Sequence, residues 1–290
     1  MGLKKLMGWY AGLLGLSFLS TTASAQGIFW KAEKNDQVIY LCGSVHVARP
    51  DFYPLPDWSY EALKNSDVLI LEVANLSDNS NKQVFKQMSQ LPEGQEIYDQ
   101  MDDETIKLAT DLGNEYGIPL EFFRYQQPWS FVTSLTMAQI IKLGYQPQSG
   151  VDLHFSNKAR EYGIPIDGFE TAMEQFRMLQ SVYSMDNAAY VKESLLELKD
   201  IPMQMDTLEQ TWLDSDADHL AELMSQSFGG SSEVEEIMLL NRNQHWMEQL
   251  SGKFKHLKQI FIVVGAGHIV GEGSLTELLK QAGFSIEQLK

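Results

Sequence analysis

Cysteine is nearly absent from this sequence of 290 residues, which contains only Cys42. One cysteine cannot form a disulfide within the chain, so a small fold held together by disulfides is excluded. A buried apolar core must supply the stability, and a chain of this length can bury one. Cys42 lies inside the apolar run of residues 38–42, which favours a buried strand position over a nucleophilic thiol.

Basic residues are scarce as well. The chain has 22 Lys and Arg against 39 Asp and Glu, and its formal net charge is −17 at pH 7. This balance argues against nucleic acid and anionic lipid as partners, because both carry negative charge. It agrees with a soluble protein that has neutral or cationic ligands, and it favours no particular oligomeric state.

Long apolar runs are missing except near the N-terminus. Lys4 and Lys5 precede the apolar residues 6–19, after which small residues lead to Ala23-Ser24-Ala25. About fourteen apolar residues are fewer than the roughly twenty that span a bilayer. The Ala-x-Ala site favours a cleaved signal peptide over an uncleaved anchor. We therefore expect residues 1–25 to be a signal peptide and the mature chain to be periplasmic or secreted, without stable membrane insertion.

Three short apolar runs, residues 38–42, 68–71 and 260–264, are bounded by glycine or charged residues, as buried parallel strands are. Between the last two runs the sequence has mostly helical periodicity. We predict an α/β protein in which residues 26–290 form one domain. Its N- and C-terminal strands should meet in one mixed or parallel sheet, with a large, mostly helical insert at about residues 80–250.

The tetrapeptide Tyr-Gly-Ile-Pro occurs twice, beginning at Tyr116 and at Tyr162, and each copy follows a helical pattern. Glycine directly after a helix adopts the left-handed conformation readily, and proline cannot continue the helix. We expect each copy to end a helix and to lead into a strand.

Two of the apolar runs end in Gly-x-x-His, placing His46 and His268 just beyond a strand, and the third ends in Glu72. Ligand crevices of open parallel sheets form at this end of the strands, where glycine lets the backbone approach a ligand. Two imidazoles and a carboxylate suit a divalent transition metal with open positions for water and substrate. The alternatives are a hydrogen-bonded loop histidine in each motif and a helix-capping role for Glu72.

The glycines after the last apolar run also invite comparison with a nucleotide-binding turn. Gly265, Gly267 and Gly271 give the spacing Gly-x-Gly-x-x-x-Gly. The dinucleotide fingerprint is one residue shorter, so this interpretation is disfavoured.

Taken together, the motifs resemble those of the TraB/GumN family, which is related to the Tiki ectodomain proteases and to the erythromycin-esterase and ChaN-like proteins. They occur in family order over about 230 residues. The matching segments are Leu41-Cys42-Gly43-Ser44-Val45-His46-Val47, Leu71-Glu72-Val73, Gly150-Val151-Asp152-Leu153-His154-Phe155, Ile166-Asp167-Gly168-Phe169-Glu170-Thr171 with Glu174-Gln175, Asn241-Arg242-Asn243 and Val263-Val264-Gly265-Ala266-Gly267-His268-Ile269-Val270-Gly271.

The resemblance implies an α/β fold of the erythromycin-esterase and ChaN-like type. It also implies a catalytic centre formed by the two Gly-x-x-His loops and the glutamate. In Tiki-like members this centre is associated with a divalent metal and with peptide hydrolysis. By this resemblance we expect a metal-dependent hydrolase in which His46, Glu72 and His268 bind one Mn, Co or Zn type ion and act on a peptide or other small substrate.

Two further residues are candidates for catalysis. Arg242, in the Asn-Arg-Asn motif, is predicted to bind a carboxylate or to stabilise an oxyanion, with a surface salt bridge as the alternative. Glu170 follows a short predicted strand and turn, and it is either a general base or a helix cap. Asp152 and His154 begin a predicted helix, where we expect structural roles.

Two other functions fit the same motifs. The first is a metal-free hydrolase with His46 as general base. The second is a protein that binds a peptide or glycan in the cleft without turnover. We also expect the fold to survive alanine at His46, Glu72 or His268, because residues at strand ends that face solvent leave no large buried cavity when truncated.

Overall fold

A mixed sheet of six strands runs through the residues that the computed structural model describes, which are 26–74, 79–183, 187–227 and 231–290. The predicted signal peptide, residues 1–25, lies outside them. The order across the sheet is β4-β3-β5-β2-β1-β6. The strands are β1 (Ile28–Lys34), β2 (Gln37–Ser44), β3 (Val68–Val73), β4 (Ile166–Glu170), β5 (Gln259–Gly265) and β6 (Ser285–Leu289).

The three strands predicted from apolar runs are neighbours, as expected. β5 lies between β2 and β3 and is parallel to both, with Cys42 opposite Val263 and Leu71 also opposite Val263. All six residues of β3 are buried, because helices cover both faces of a parallel sheet. β1 is antiparallel to β2 and to β6, so the α/β fold with a mixed sheet is confirmed.

Helices make up most of the chain between β3 and β5. The helices are α1 (Asp57–Lys64), α2 (Asn79–Met88), α3 (Asp103–Glu115), α4 (Pro128–Lys142), α5 (Val151–Tyr162), α6 (Ala172–Tyr183), α7 (Asn187–Glu197), α8 (Ile201–Leu213), α9 (Ala217–Ser227), α10 (Ser232–Glu235), α11 (Asn241–Ser251) and α12 (Leu275–Gln281). A π-helical turn, Glu236–Leu240, joins α10 to α11. One segment of this region, β4, is a strand that pairs with β3.

The two Tyr-Gly-Ile-Pro segments end helices as predicted, with Gly117 at φ +69° and Gly163 at φ +73°. Their continuations differ. The second leads into β4, whereas the first leads into a short 3-10 helix, Leu120–Phe123. The expectation of a strand after both copies is therefore wrong for the first, which packs in a cluster of helices away from the sheet.

The buried apolar residues fall into two clusters. The larger one surrounds the sheet and includes Leu41, Leu71 and Ile262, each at most 1 % exposed. The smaller one lies within the helices and includes Phe131 and Leu135. Within the described ranges, no helix combines the length and apolar character that crossing a membrane requires.

Candidate active site

A cavity of about 640 Å³ opens at the carboxyl ends of β2, β3 and β5. Because these strands are parallel, their ends lie at one edge of the sheet, where α/β proteins form ligand crevices. The lining includes four residues of the predicted site, His46, Glu72, Arg242 and His268. Glu170 is not among the lining residues.

His46 is held by Asp152, at the start of α5. Its Nδ1 lies 2.9 Å from Asp152 Oδ2. The helix is drawn to this loop because Val151 N donates to Val45 O at 3.0 Å. Gly150 permits the approach, since a β-carbon there would lie 2.5 Å from His46 O. The His46 side chain is 64 % exposed to the cavity, and Nε2 has no hydrogen-bond partner among the described residues.

Glu72, at the end of β3, is buried and accepts hydrogen bonds on both carboxylate oxygens. Gly265 N donates to Oε1 at 2.7 Å, so β5 holds the carboxylate directly. Oε2 accepts from Arg242 Nη2 at 2.6 Å and from Gln175 Nε2 at 2.9 Å. Three donors therefore fix the position of this carboxylate, which is only 8 % exposed as a residue.

Arg242 lies at the centre of the polar groups and uses all five of its N–H donors. Nε donates to Glu170 Oε1 at 2.7 Å, and Nη2 donates to Glu170 Oε2 at 3.1 Å and to Glu72. Nη1 donates to Met238 O and to His268 Nε2, both at 2.9 Å. The π-helical turn presents the Met238 carbonyl to the side chain four residues further on.

His268 is buried against aromatic and amide groups. Because Nε2 accepts from Arg242, the ring proton is on Nδ1, which donates to Asn243 Oδ1 at 2.7 Å. The ring packs on Trp246, with centroids 4.3 Å apart. This environment fixes both the orientation and the tautomer of the imidazole.

The three residues predicted to meet do converge around Gly265. The point at which a β-carbon on Gly265 would lie is 3.1 Å from Glu72 Oε1, 3.7 Å from His268 Cδ2 and 3.8 Å from His46 Nε2. A larger residue would press on the Glu72 carboxylate. Glycine at this position therefore lets its own N–H approach Glu72.

At neutral pH one of the two site histidines, His268, is neutral, and the other, His46, is positively charged. Burial chiefly lowers the pKa of His268 to about 3, with Arg242 adding to the effect, so this ring is neutral. For His46, reduced solvation within the cavity opposes protonation, but the hydrogen bond and charge of Asp152, with the charge of Glu72, prevail and raise the pKa to about 9. Burial acts to raise the pKa of Glu72, yet His268, Arg242 and His46 together lower it to about 2.

Residues 28–288 match the TraB/PrgY/gumN family. The chain belongs to this family. Two curated relatives, each described as "Uncharacterized protein YbaP", come from Escherichia coli (strain K12) and Shigella flexneri. Each is 24% identical over 241 residues, which cover 83% of this chain and 87% of the relative. No solved structure matches the chain.

The predicted one-ion centre does not fit this arrangement of the family motifs. The guanidinium of Arg242 already lies 2.6 Å from Glu72 Oε2 and 2.9 Å from His268 Nε2. A divalent ion bound to both groups would be pressed against that positive charge. Of the two predicted histidine ligands, only His46 has a ring nitrogen without a partner among the described residues. In that part of the chain, no group of three or more His, Cys, Asp or Glu is arranged to hold a metal.

Two expectations about individual residues also change. The side chain of Arg242 is only 11 % exposed, so its ion pairs with Glu72 and Glu170 are buried and are not surface salt bridges. All of its N–H groups are used in hydrogen bonds, so none is free to stabilise an oxyanion. The premise that the site residues face solvent is wrong for His268, 3 % exposed, and for Glu72. Truncating either would leave buried polar groups without partners, which is destabilising.

Sequence reasoning missed the residues that hold the site together. Asp152 was assigned to the helix start, yet its second carboxylate oxygen binds His46. Gln175 and Asn243 orient Glu72 and His268, and both belong to segments that carry the family resemblance. Trp246 donates from Nε1 to Glu170 Oε1 at 3.0 Å. Its position four residues after Arg242 on one helix was the available signal.

Proposed function

We propose that the protein hydrolyses an amide or related acyl bond with His46 as general base and without a bound metal. The observation that carries the proposal is the His46–Asp152 pair at the cavity, with one ring nitrogen held by a carboxylate and the other unpaired. A carboxylate in this position fixes the tautomer of the ring and stabilises the imidazolium that forms. Family membership supports the location of the site and is silent on its chemistry.

The proposed reaction uses His46 twice. Its Nε2 takes a proton from a water molecule while the water oxygen attacks the substrate carbonyl carbon. The tetrahedral intermediate then collapses, the bond to the leaving nitrogen or oxygen breaks, and the proton passes from Nε2 to that atom. The products are a carboxylic acid and an amine or alcohol.

The buried ion cluster, defined as Glu72, Glu170, Arg242 and His268, has a positioning role in this proposal. Glu72 stabilises the imidazolium of His46, because its negative charge raises the pKa of the ring. Arg242 holds Glu72 in place through a hydrogen bond of 2.6 Å. Arg242 is thus assigned to the geometry of the site rather than to direct contact with substrate.

The raised pKa of His46 makes the pH profile a direct test. A base with a pKa of about 9 is mostly protonated at pH 7. Hydrolysis of p-nitrophenyl esters and p-nitroanilides of straight-chain acids should therefore rise about tenfold per pH unit and level off above about pH 9.

Asp152→Asn separates the roles of the pair. Without the charge of Asp152, the inflection should move from about pH 9 towards the ordinary histidine range. The plateau rate should also fall at least a hundredfold, because the ring loses its orientation. His245→Gln, at an exposed histidine, is the matched control. An unchanged profile in Asp152→Asn, or full activity in His46→Gln, would overturn the proposal.

A second candidate is a protein that binds its ligand without turnover. The charge on His46 at neutral pH favours it, because an imidazolium attracts an anionic group and is no base. The same assay decides between the two, since a binding protein does not accelerate the release of p-nitrophenol or p-nitroaniline above the spontaneous rate at any pH.

We propose further that the mature protein works outside the cytoplasm, in the periplasm or as a secreted protein, on a small substrate. The signal-peptide pattern of residues 1–25 supports this location. The strongly acidic composition continues to argue against nucleic acid as a partner.

A further inference from the structure

The walls of the cavity are built largely from flexible apolar side chains. Methionine is unbranched and polarisable, so it adapts its shape to an apolar ligand. All of these wall residues are half-buried. They lie on α6, α8, α9 and the π-helical turn: Met178, Leu179, Met205, Leu208, Met224 and Met238.

The polar donors of three side chains in the same walls already have partners. Tyr145 donates to Glu209, Gln175 donates to Glu72 at 2.9 Å, and Ser227 donates to Met224 O at 2.7 Å. A peptide inside the cavity would therefore leave backbone N–H and C=O groups without partners, which is costly in an apolar site. A hydrocarbon chain has no such groups.

Two polar lining residues, Ser44 and His46, have an atom without a hydrogen-bond partner among the described residues. Ser44 is the buried one. It is 3 % exposed, and its Oγ has no hydrogen-bond partner among the described residues. In the sheet it is paired with Gly265, around which His46 Nε2 and Glu72 Oε1 lie. Buried hydroxyls normally have a partner. The oxygen itself exposes less than 1 Å², so a small rotation of the side chain towards the cavity would be needed for a ligand oxygen to become its partner.

We propose that the cavity binds a molecule with one straight acyl chain. The chain lies along the methionine wall, and the carbonyl oxygen of a bound ester or amide accepts a hydrogen bond from Ser44, while His46 Nε2 remains free to act as base. The carboxylate of a free acid accepts from Ser44 and from the protonated His46. This inference rests on the proposed function and names its substrate class as amides or esters of medium-chain and long-chain carboxylic acids. The cavity volume of about 640 Å³ falls in the range of small-molecule sites.

Binding of free straight-chain carboxylates, from six to sixteen carbons, tests the inference without turnover. Isothermal titration calorimetry at pH 7 should show the dissociation constant falling by up to about fourfold for each added methylene group. The trend should stop at the chain length that fills the cavity. Tripeptides of Leu and Val are the competing ligands, and they should bind at least tenfold more weakly than the best carboxylate.

Three variants locate the ligand. Met178→Trp should move the preferred chain length down, because the indole fills part of the cavity. Met203→Trp is the matched control, since Met203 is 68 % exposed and does not line the cavity. Ser44→Ala should weaken carboxylate binding roughly fivefold to tenfold while leaving the melting temperature unchanged, because the free protein loses no hydrogen bond.

The outcomes separate this inference from the proposed function. A dissociation constant that does not depend on chain length, or tripeptides that bind as tightly as the carboxylates, would overturn the acyl-chain assignment even if hydrolysis occurs. A lower melting temperature in Ser44→Ala, with unchanged binding, would overturn the role of the hydroxyl. Tight binding that depends on chain length, without hydrolysis of the corresponding esters, would support the acyl-chain site and contradict the proposed hydrolase activity.

Discussion

Replacing Arg242 with Ala would leave two buried carboxylates, Glu72 and Glu170, without the cation that they share. Each carboxylate side chain is 10 % exposed, and the guanidinium between them is 11 % exposed. Glu72 would keep its bonds from Gly265 and Gln175. Two negative charges would nevertheless face each other in a poorly hydrated space.

The expected loss is large because the pair is buried. Removing one partner of a buried ion pair costs about 3–5 kcal/mol, since the remaining charge is uncompensated. For a domain of this size, each kcal/mol lowers the melting temperature by about 2–4 °C. Arg242→Ala should therefore melt roughly 6–20 °C below the parent protein at pH 7. The deficit should shrink towards pH 5, because without the cation the carboxylates take up protons more readily.

The measurement is thermal and urea unfolding, followed by circular dichroism, of the parent and two arginine variants. Arg124→Ala is the matched control, because Arg124 also pairs with two glutamates, Glu96 and Glu121, but is 41 % exposed. Exposed ion pairs contribute little to stability. Its melting temperature should hardly change.

A small effect would refute the reasoning. If Arg242→Ala and Arg124→Ala lost the same small stability, the carboxylates of Glu72 and Glu170 would have to be hydrated or protonated at pH 7. The ion cluster would then be no rigid support for the site.

Two further predictions concern acid and metal. Burial lowers the pKa of His268 in the folded protein to about 3, below its value in the unfolded chain. Below pH 6.5 the unfolded state therefore takes up a proton that the folded state does not. The free energy of unfolding should fall by up to about 1.4 kcal/mol per pH unit from there towards pH 3. Urea midpoints between pH 8 and pH 4 measure this slope, which should flatten in His268→Asn but persist in His245→Asn; equal slopes in both variants would contradict it. Dialysis against a chelator should leave ester hydrolysis and the melting temperature unchanged, because Arg242 already occupies the lone pair of His268 Nε2 and places its positive charge 2.6 Å from Glu72 Oε2. The prediction would be contradicted if the protein retained one metal ion per chain after mild purification and if its activity were lost on removal of the metal and regained on its return. The one-ion centre would then be the better hypothesis.

The centre of the sheet was predictable because its strands carry strong local signals, whereas β1 and β6 were not predicted. β3 and β5 are short runs of aliphatic residues, and such runs fit only a strand covered on both faces. The end of α5 was predictable too, since Gly163 and Pro165 stop a helix by known backbone preferences. That β2, β3 and β5 are neighbours followed from the site motifs, which require the ends of these strands to be close together, whereas the order of the six strands was not predicted.

The side-chain contacts of the site could not be predicted from the sequence. Asp152 and His46 are separated by 106 residues, and no pattern in the chain links them. Whether Arg242 is exposed or buried could not be predicted from the sequence, because an arginine is solvated on one face of a helix and buried on the other. Only the packing of α11 against the sheet edge placed its guanidinium between Glu72 and Glu170.

The position of β5 has a consequence for the growing chain. This strand pairs with both β2 and β3, yet it begins 186 residues after the end of β3 (259 − 73) and 215 residues after the end of β2 (259 − 44). Until it is made, each of the two earlier apolar strands has an edge with unpaired backbone groups, and such edges promote association between chains. The protein therefore completes the centre of its sheet only after β5 has been made, and until then these edges are open to association with other chains.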